Sequence, residues 1–308
     1  MLISRNKNAP EISSNKAIGN QSIKRYGILY MGKFKNMLLC CDLDGTLLNS
    51  QSEMSENNRK AIEYFKSQGG KFTFVTGRAT QGIERFADMI DMPVVLLNGA
   101  EIYDFKVQKA IWTMSLFPSV SEMIRQIENV FNDIGIIVFT DEGMYYTRLN
   151  QSLRNYYNFE DHGAAEQKNY AEVCTTWRKI LLVANDKTIG QVRNFLAKTE
   201  YVKQYSFMQS GRNFYEILPL GANKWSAISE LQRIVGMEQR YVICVGDSEN
   251  DVRMLEEADL GIAVKNAMQC AKIAADYVLV SNNDEGIMAE MIRKLQNEDI
   301  TDKIEKYC

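Results

Sequence analysis

Histidine is almost absent from this sequence of 308 residues, which contains only His162. A zinc site built from several histidines is therefore excluded. A Ser-His-Asp or Cys-His mechanism would depend on that single residue, which lies in a polar stretch typical of a surface loop. We therefore expect acid–base chemistry in this protein to be carried by carboxylates.

Paired cysteine motifs and long apolar runs are missing as well. None of the six cysteines forms a C-x-x-C pair, which argues against a zinc or redox site. Several lie in apolar runs, where cysteine behaves as a small buried hydrophobe, so we expect reduced thiols and a cytoplasmic location. No run approaches the ~18 apolar residues of a membrane helix, so we expect a soluble protein with no membrane partner.

The chain also lacks a strong net charge. Its balance of −3 argues against a nucleic-acid partner held mainly through phosphate contacts. Residues 1–36 differ from the rest, because they contain seven Lys or Arg and a single acid, Glu11. No apolar segment typical of a secretory signal follows the first charges. We expect a basic, disordered N-terminal extension, with a transit peptide or a fold that opens at Met31 or Met37 as alternatives.

Strand-like and helix-like patterns alternate from residue 37 onward. The apolar run "MLLCCDL" predicts a strand covered on both faces. Ser55 is predicted to cap a helix that Gly69 and Gly70 end. A second helix is predicted within 77–90, between the strands "KFTFVT" and "PVVLLNG". Repeated β-α-β units of this kind indicate an α/β fold with a parallel sheet and helices on both faces.

The pattern changes after Gly99. Two hairpins and a helix over 118–133 are predicted there, and "RKILLVAN", a helix near 187–199 and "KQYSFMQSGRNFYEIL" complete an α+β segment. The first pattern is predicted to resume at 213 with "FYEILPL" and to continue with helices that begin at Lys224, Asn250 and Asn266. The sequence therefore predicts a core domain of residues 37–115 and 212–308, interrupted by an inserted α+β domain of residues 116–211.

Four polar groups follow predicted strands, where the ligands of an open parallel sheet bind. Residues 42–46 place Asp42 and Asp44 two positions apart, so both face one side. Residues 76–78 offer a hydroxyl and backbone N–H groups suited to a phosphate. Lys224 is the third group, and residues 246–251 offer oxygen ligands suited to Mg²⁺. Each group alone is also typical of a polar turn, a solvated lysine or a helix cap.

Two carboxylates at the end of a buried strand need positive partners. Burial of an unpaired charge costs several kcal/mol. Two like charges 4 Å apart repel by about 4 kcal/mol at an effective dielectric of 20. Asp42, Asp44 and Asp247 would gather with a phosphate only if a divalent cation and Lys224 offset their charge.

Taken in order, the four groups resemble the motif set of the haloacid dehalogenase superfamily. The insertion between the second and third motifs is similar to the Cof-type, class IIB subfamily, and so is the ending with Asn266-Ala267, Ala275-Asp276-Tyr277 and Asp284-Glu285-Gly286. The resemblance spans roughly residues 37–297. It implies a haloacid-dehalogenase-like Rossmannoid parallel-sheet core, with residues 116–211 as an α+β cap domain that closes over the site.

The same resemblance implies roles for individual residues. Asp42 would attack phosphorus to form an aspartyl-phosphate, and Asp44 would act first as acid and then as base. Arg78 and Asn98 would lie near the substrate. The implied phosphate-binding residues are Thr76, Gly77, Lys224 and Asn250. The implied Mg²⁺ ligands and their supports are Asp42, Asp44 through its backbone carbonyl, Asp247 and Asp251.

These features predict a Mg²⁺-dependent phosphatase of small phosphorylated metabolites, either sugar phosphates or phosphorylated cofactors, acting as a monomer or small homo-oligomer. One alternative is a phosphomutase of the same superfamily, which would need a bisphosphorylated activator. Another is a non-catalytic phosphate-ligand binding or regulatory protein. Arg148, Arg178 and Arg212 are candidate substrate contacts in the cap, although we expect each of them to be a solvated surface residue.

Overall fold

The computed structural model describes residues 32–147, 149–158, 165–238 and 240–296. Arg148, His162 and most of the N-terminal extension lie outside these ranges. The strands are β1 (Met37–Cys41), β2 (Lys71–Phe74), β3 (Val94–Leu96), β4 (Glu101–Asp104), β5 (Lys109–Thr113), β6 (Gly135–Thr140), β7 (Met144–Tyr146), β8 (Glu166–Gln167), β9 (Trp177–Val183), β10 (Tyr205–Gly211), β11 (Phe214–Pro219), β12 (Tyr241–Gly246), β13 (Leu260–Ala263) and β14 (Tyr277–Val278). The α-helices are α1 (Glu56–Ser67), α2 (Val120–Val130), α3 (Gln151–Tyr156), α4 (Asp186–Leu196), α5 (Lys224–Val235), α6 (Val252–Glu257), α7 (Gln269–Ala274) and α8 (Ile287–Gln296).

A parallel sheet with the strand order β14-β13-β12-β1-β2 forms the core. The apolar run at the start of the core makes the central strand β1, whose residues pair with β12 and β2. Cys40 lies opposite Cys244 in this register, and Cys40, Cys41 and Cys244 are buried free thiols. The carboxyl ends of β1, β2 and β12 therefore lie side by side, which brings the groups that follow them together.

A second sheet with the order β10-β11-β9-β6-β7-β8 forms the cap. Its pairs are antiparallel except β7 with β8. One face packs Ile136 and Ile180 with Ile124 of α2 and Val192 of α4 in a separate hydrophobic cluster. The other face places Phe139 and similar side chains in the core cluster. The cap sheet thus presents one face to its own helices and the other to the core.

Two predicted core strands belong elsewhere. The strand predicted to resume the parallel sheet at 213 is β11, which pairs antiparallel with β10 and β9 in the cap sheet. The core resumes only with α5, so we propose that the cap extends to Pro219 rather than ending at 211. The strand "PVVLLNG" forms β3, which pairs antiparallel with β4 in a separate three-stranded sheet. It also runs parallel to the end of β2, where Val95 bridges Val75 and the Val95 carbonyl accepts from the Thr76 N–H at 2.9 Å.

The helix predicted within 77–90 is also wrong, since the segment forms two 3₁₀ turns, Thr80–Gly82 and Glu84–Met89. An α-helix would need the Gly82 carbonyl to accept from the N–H of Phe86. The Arg78 guanidinium donates to that carbonyl instead, at 2.9 Å, and the Phe86 N–H donates to Ile83. A side chain of the site therefore replaces a helical hydrogen bond.

The residues predicted to begin helices lie at or near the observed helix starts. The Ser55 hydroxyl accepts from the N–H of Asn58 at 3.2 Å, as predicted for the start of α1. The helix predicted from Asn250 begins at Val252 after a 3₁₀ turn, and the one predicted from Asn266 begins at Gln269. Within the described ranges, every helix is too short or too polar to traverse a bilayer.

Candidate active site

A buried lysine joins two of the predicted acidic groups. Asp42 follows β1 directly, and Lys224 is the first residue of α5 and is 0% exposed. The Lys224 Nζ atom lies 2.6 Å from Asp42 Oδ1 and 2.6 Å from Asp251 Oδ1. Burial alone would lower the pKa of this amine, but the two carboxylates outweigh burial and raise it. Lys224 therefore stays protonated between them.

The start of α5 determines where Lys224 points. Asn223 precedes the helix, and its side-chain oxygen accepts from the N–H of Ser226 at 2.9 Å. The Asn223 N–H in turn donates to the Ser226 hydroxyl at 3.2 Å, which completes a capping box. This reciprocal pair holds the first turn, and hence Lys224, in place.

Three carboxylates lie close enough to hold one cation. Asp42, Asp247 and Asp251 each offer an oxygen, and these oxygens lie within 4.8 Å of one another. Burial and the neighbouring Asp251 raise the pKa of Asp247 to about 7. Burial likewise raises the pKa of Asp42 well above its usual range, although Lys224 opposes this effect. Burial and the neighbouring acids therefore disfavour the charged forms of Asp42 and Asp247.

The three acids do not have equal freedom. Asp251 Oδ1 accepts from Lys224, and its Oδ2 accepts from the backbone N–H groups of Asp247 and Ser248, both at 3.0 Å. Asp251 therefore shapes the turn that carries Asp247. Asp247 Oδ1 accepts from the Thr46 hydroxyl at 2.8 Å. Asp42 and Asp247 are consequently the better suited of the three to direct ligation of a cation.

Gly45 allows the first motif to approach this loop. Its φ is +78°, and a Cβ atom there would lie 2.6 Å from Asp247 Oδ2. Glycine is favoured at a positive φ, and here it also leaves room for the carboxylate. The side chain of Asp44 is 45% exposed, in contrast to the buried Asp42 and Asp251.

Asp44 is held by a bidentate arginine. Arg78 Nε lies 2.8 Å from Asp44 Oδ2, and Arg78 Nη2 lies 2.5 Å from Asp44 Oδ1. The Arg78 backbone N–H donates to the Thr76 hydroxyl at 3.1 Å. The guanidinium is buried and lines the cavity described below. The contact predicted between Arg78 and a substrate therefore stays a prediction, and what the structure places against Arg78 is Asp44.

Asn98 connects the core to the cap. It has a φ of +54° in the turn after β3 and is fully buried. Its Nδ2 donates to Glu216 Oε2 at 2.8 Å, and its Oδ1 accepts from Asn250 Nδ2 at 3.0 Å. Asn250 also accepts from the Ser248 hydroxyl at 2.6 Å. A chain of hydrogen bonds thus runs from the acidic turn through Asn98 to β11.

Two cap residues that the sequence analysis missed complete this network. Lys179 of β9 and Glu216 of β11 form a buried ion pair at 3.1 Å. Lys179 Nζ also donates to the Gly77 carbonyl at 2.6 Å, which ties the cap to the second motif. The signal that could have found them is a charged side chain inside each of two apolar runs, "RKILLV" and "FYEILPL".

The cap arginines differ from one another. Arg178 is only 8% exposed and lies 3.5 Å from Glu101, so the expectation of a solvated residue is wrong. It is the extra residue of a bulge, because Phe139 pairs with Lys179 while Thr140 pairs with Trp177. A bulge re-aims a side chain, and here it buries the guanidinium beside the core. Arg212 is exposed, as expected.

A cavity of about 190 Å³ lies between the core and the cap. The core contributes the carboxylates of Asp42 and Asp44. Its remaining lining residues from the core are Gly77, Arg78, Ala79, Ser248 and Asn250, and those from the cap are Phe139, Tyr157, Lys179, Leu181, Ser210, Phe214 and Glu216. Thr76 and Asn98 are buried behind this lining.

Comparison with known proteins agrees with this arrangement. The family model for haloacid dehalogenase-like hydrolases matches residues 39–291. The chain belongs to this family. A haloacid dehalogenase-like hydrolase from Bacteroides thetaiotaomicron has 27% sequence identity and a TM-score of 0.73, covering 85% of this chain and 100% of that one. The α/β core with an inserted cap is therefore the fold of this hydrolase family.

Two Bacillus subtilis relatives carry named activities. Both are 5-amino-6-(5-phospho-D-ribitylamino)uracil phosphatases. YwtE is 26% identical over 271 residues, covering 81% of this chain and 94% of its own. YcsE is 28% identical over 261 residues, covering 83% of this chain and 94% of its own. This haloacid dehalogenase-like hydrolase is a phosphatase, as these two relatives are.

Proposed function

We propose that this phosphatase hydrolyses monoesters of small phosphorylated metabolites, requires Mg²⁺ and forms an aspartyl-phosphate on Asp42. One observation carries the proposal. Asp42 lines the cavity between the core and the cap, and the fully buried Lys224 donates to its Oδ1. Among the described residues, no side chain or backbone group donates a hydrogen bond to Asp42 Oδ2. That oxygen is therefore the one available for attack on phosphorus.

The acidic cluster fits a magnesium ion. Mg²⁺ favours one or two carboxylates together with water and substrate phosphate, and Asp42 and Asp247 supply such a pair. Burial and Asp251 raise the pKa of Asp247, so a cation bound beside it would favour the ionised carboxylate that ligation needs. Asp251 would support the site through the backbone of the turn, and the Asp44 carbonyl stays a candidate ligand. When bound, Mg²⁺ would neutralise charge on the phosphoryl oxygens.

The reaction has two steps, and each step combines one phosphoryl transfer with one proton transfer by Asp44. Asp42 Oδ2 bonds to phosphorus, the bond from phosphorus to the ester oxygen breaks, and protonated Asp44 gives its proton to the departing oxygen. Asp44 then takes a proton from a water molecule, whose oxygen bonds to phosphorus while the bond from phosphorus to Asp42 Oδ2 breaks. This step releases inorganic phosphate and restores the Asp42 carboxylate. Lys224 offsets negative charge in both steps, and the Thr76 hydroxyl, Gly77 and Asn250 position the phosphoryl group.

The names of the two Bacillus subtilis phosphatases support a phosphate ester of a polyhydroxylated alcohol as the substrate of this protein. The substrate in the names of both Bacillus subtilis phosphatases is a phosphate on a ribityl chain. The same chemistry, a phosphate monoester of a sugar or polyol, suits a small cavity with several polar lining groups.

The experiment is phosphate release by the purified full chain, with Mg²⁺ and with chelator. The panel contains sugar and polyol monophosphates, flavin mononucleotide, pyridoxal phosphate and p-nitrophenyl phosphate. We expect release that requires Mg²⁺ and disappears in Asp42→Asn. Asp186→Asn, an exposed carboxylate of α4, is the matched control and should retain activity. Release that persists in Asp42→Asn would refute the aspartyl-phosphate, and no release from any ester would favour a binding protein.

A further inference from the structure

The cavity is small and its cap side combines apolar and hydrogen-bonding groups. Its volume of about 190 Å³ lies below the ~300–1,000 Å³ of typical ligand pockets. Phe139 and Phe214 supply aromatic surface, and Lys179, Glu216 and Ser210 supply the polar atoms. The space beyond the phosphate site therefore matches a short carbon chain that carries polar groups.

The Lys179–Glu216 pair retains unused hydrogen-bonding capacity. An ammonium has three N–H donors, and Lys179 directs one to Gly77 and one to Glu216. A carboxylate accepts about four hydrogen bonds, and Glu216 accepts from Lys179, Asn98 and Ser210. Lys179 Nζ also lies 4.5 Å from the centre of the Phe139 ring. By this count of hydrogen bonds, one donor of Lys179 and one acceptor of Glu216 remain, on side chains whose paired atoms are 3.1 Å apart. A hydroxyl group matches both, because it accepts and donates at the same atom.

The cations around the cavity are already matched by carboxylates. Among the described residues that line it, Lys179 is paired with Glu216 and Arg78 is paired with Asp44. Lys224, which contacts Asp42 from below, is also paired with Asp251. A second phosphate on the substrate would therefore lie near the negative charge of Glu216. Among the described lining residues, every cation that could bind it is already paired with a carboxylate. The charge arrangement disfavours a second anionic group.

We propose that Lys179 and Glu216 are the residues that determine specificity by binding a hydroxyl of the leaving group. The preferred substrates are monophosphates of short polyhydroxylated alcohols that carry no second charged group. This inference rests on the proposed phosphatase function and narrows its substrate class. It also disfavours the phosphomutase alternative, which needs a bisphosphorylated activator.

The test compares the wild type with Glu216→Gln on three kinds of ester, a polyol monophosphate, a sugar bisphosphate and p-nitrophenyl phosphate. We expect kcat/KM for the polyol monophosphate to fall about tenfold, mainly through KM. For the bisphosphate, kcat/KM should rise relative to the monophosphate by about tenfold, because Lys179 loses its matching charge. For p-nitrophenyl phosphate, which lacks hydroxyls, the change should stay within about threefold.

A control and a second variant separate specificity from damage. Glu172→Gln makes the same chemical change at an exposed position of the cap and should alter none of the three values. Ser210→Ala removes only one partner of Glu216 and should shift selectivity in the same direction by a smaller factor. An equal loss on all three esters in Glu216→Gln would overturn the inference, as would a wild-type preference for the bisphosphate.

A binding measurement distinguishes this inference from the proposed function. Calorimetric titration of Asp42→Asn with Mg²⁺ and the polyol monophosphate reports binding without turnover. If the wild type hydrolyses none of the esters but adding Glu216→Gln to Asp42→Asn weakens binding, the inference is supported while the proposed function fails. Unchanged binding, in a protein whose wild type hydrolyses the esters, would refute the inference alone.

Discussion

At the scale of single residues, the site depends on matched charges. Lys224 is fully buried between Asp42 and Asp251, and removing one partner of a buried pair typically costs ~3–5 kcal/mol. Arg78 matches Asp44 with two parallel hydrogen bonds. A flat guanidinium fits a carboxylate in this way, whereas an ammonium does not. Each charge near the cavity is therefore placed by a specific partner.

Arg78→Lys should impair the acid–base step more than substrate binding. The lysine keeps a positive charge but loses the bidentate geometry that orients Asp44. We expect kcat to fall by about 10–100-fold with a smaller change in KM. The loss should be greater for sugar phosphates than for p-nitrophenyl phosphate, whose leaving group needs little protonation. An equal loss for both esters would contradict an effect through Asp44.

Glu290→Gln should lower stability in a pH-dependent way. Glu290 is buried, which by itself would raise its pKa. Hydrogen bonds from the Ser281 side chain and from the backbone N–H groups of Val280 and Ser281 outweigh burial and lower the pKa below the usual 4.5. A lowered pKa stabilises the fold above the unfolded pKa, and this contribution is lost as the pH falls through the folded pKa.

The measurement for Glu290 is urea unfolding of both proteins between pH 7 and pH 3.5. At pH 7 we expect Glu290→Gln to lower the free energy of unfolding by about 1–2 kcal/mol. The difference should shrink as the pH falls below about 4.5. A difference that stays constant with pH would show that side-chain packing, not charge, is responsible.

At the scale of elements, the turns after the strands carry the chemistry. The turn after β3 passes so close to the start of α5 that a Cβ atom on Gly99 would lie 2.1 Å from the Asn223 carbonyl oxygen. Gly99 also has a φ of +96°, so a larger residue would strain the backbone. This close approach brings Asn98 and Lys224 to the same edge of the sheet.

Asn223→Ala should weaken both the fold and the reaction. Loss of an N-cap side chain costs about 1 kcal/mol, and here it also loosens the first turn that positions Lys224. We expect a comparable loss of stability in Asn185→Ala, which removes the equivalent cap of α4, with no change in activity. Asn223→Ser should restore most of both properties. Equal effects of the two alanine variants on kcat would contradict a role for this cap in placing Lys224.

At the scale of the whole molecule, the cap and the core share the cavity. The cap sheet has its own cluster against α2 and α4, while its opposite face extends the core cluster. Three polar contacts join the cap to the core. They are Lys179 with Gly77, Glu216 with Asn98, and Arg178 with Glu101. The acidic cluster of Asp42, Asp247 and Asp251 lies in the core, so the proposed metal site and the proposed leaving-group site belong to different domains.

Mg²⁺ should stabilise the whole protein against heat. A ligand that binds only the folded state adds about 2.7 kcal/mol at a concentration 100 times its Kd, which raises Tm by several degrees. Asp247→Asn should unfold at a higher temperature than the wild type in chelator, because it removes a buried charge next to Asp251. The same variant should lose most of the Mg²⁺ response. An unchanged Mg²⁺ response would place the ion elsewhere.

Local patterns in the sequence predicted what short-range physics controls. Ser55 begins α1, the apolar run at 37–41 forms the central strand, and Lys224 begins α5, because caps and apolar periodicity act within a few residues. The motif order also predicted that the polar groups after β1, β2 and β12 meet, since carboxyl ends of neighbouring parallel strands lie together. Lys224 reaches them from the start of α5, which follows a cap strand instead.

Contacts between distant segments decided the rest. β11 has a strand pattern that fits either sheet, and its pairing with β9 and β10 placed it in the cap. The helix expected after Gly77 is replaced by 3₁₀ turns because Arg78 binds Asp44 and the Gly82 carbonyl. Lys179 finds Glu216 only after both strands join one sheet. The sequence by itself determined the motifs and the reaction class, and the tertiary structure decided the side-chain partners, because burial and ion pairing depend on neighbours far away along the chain.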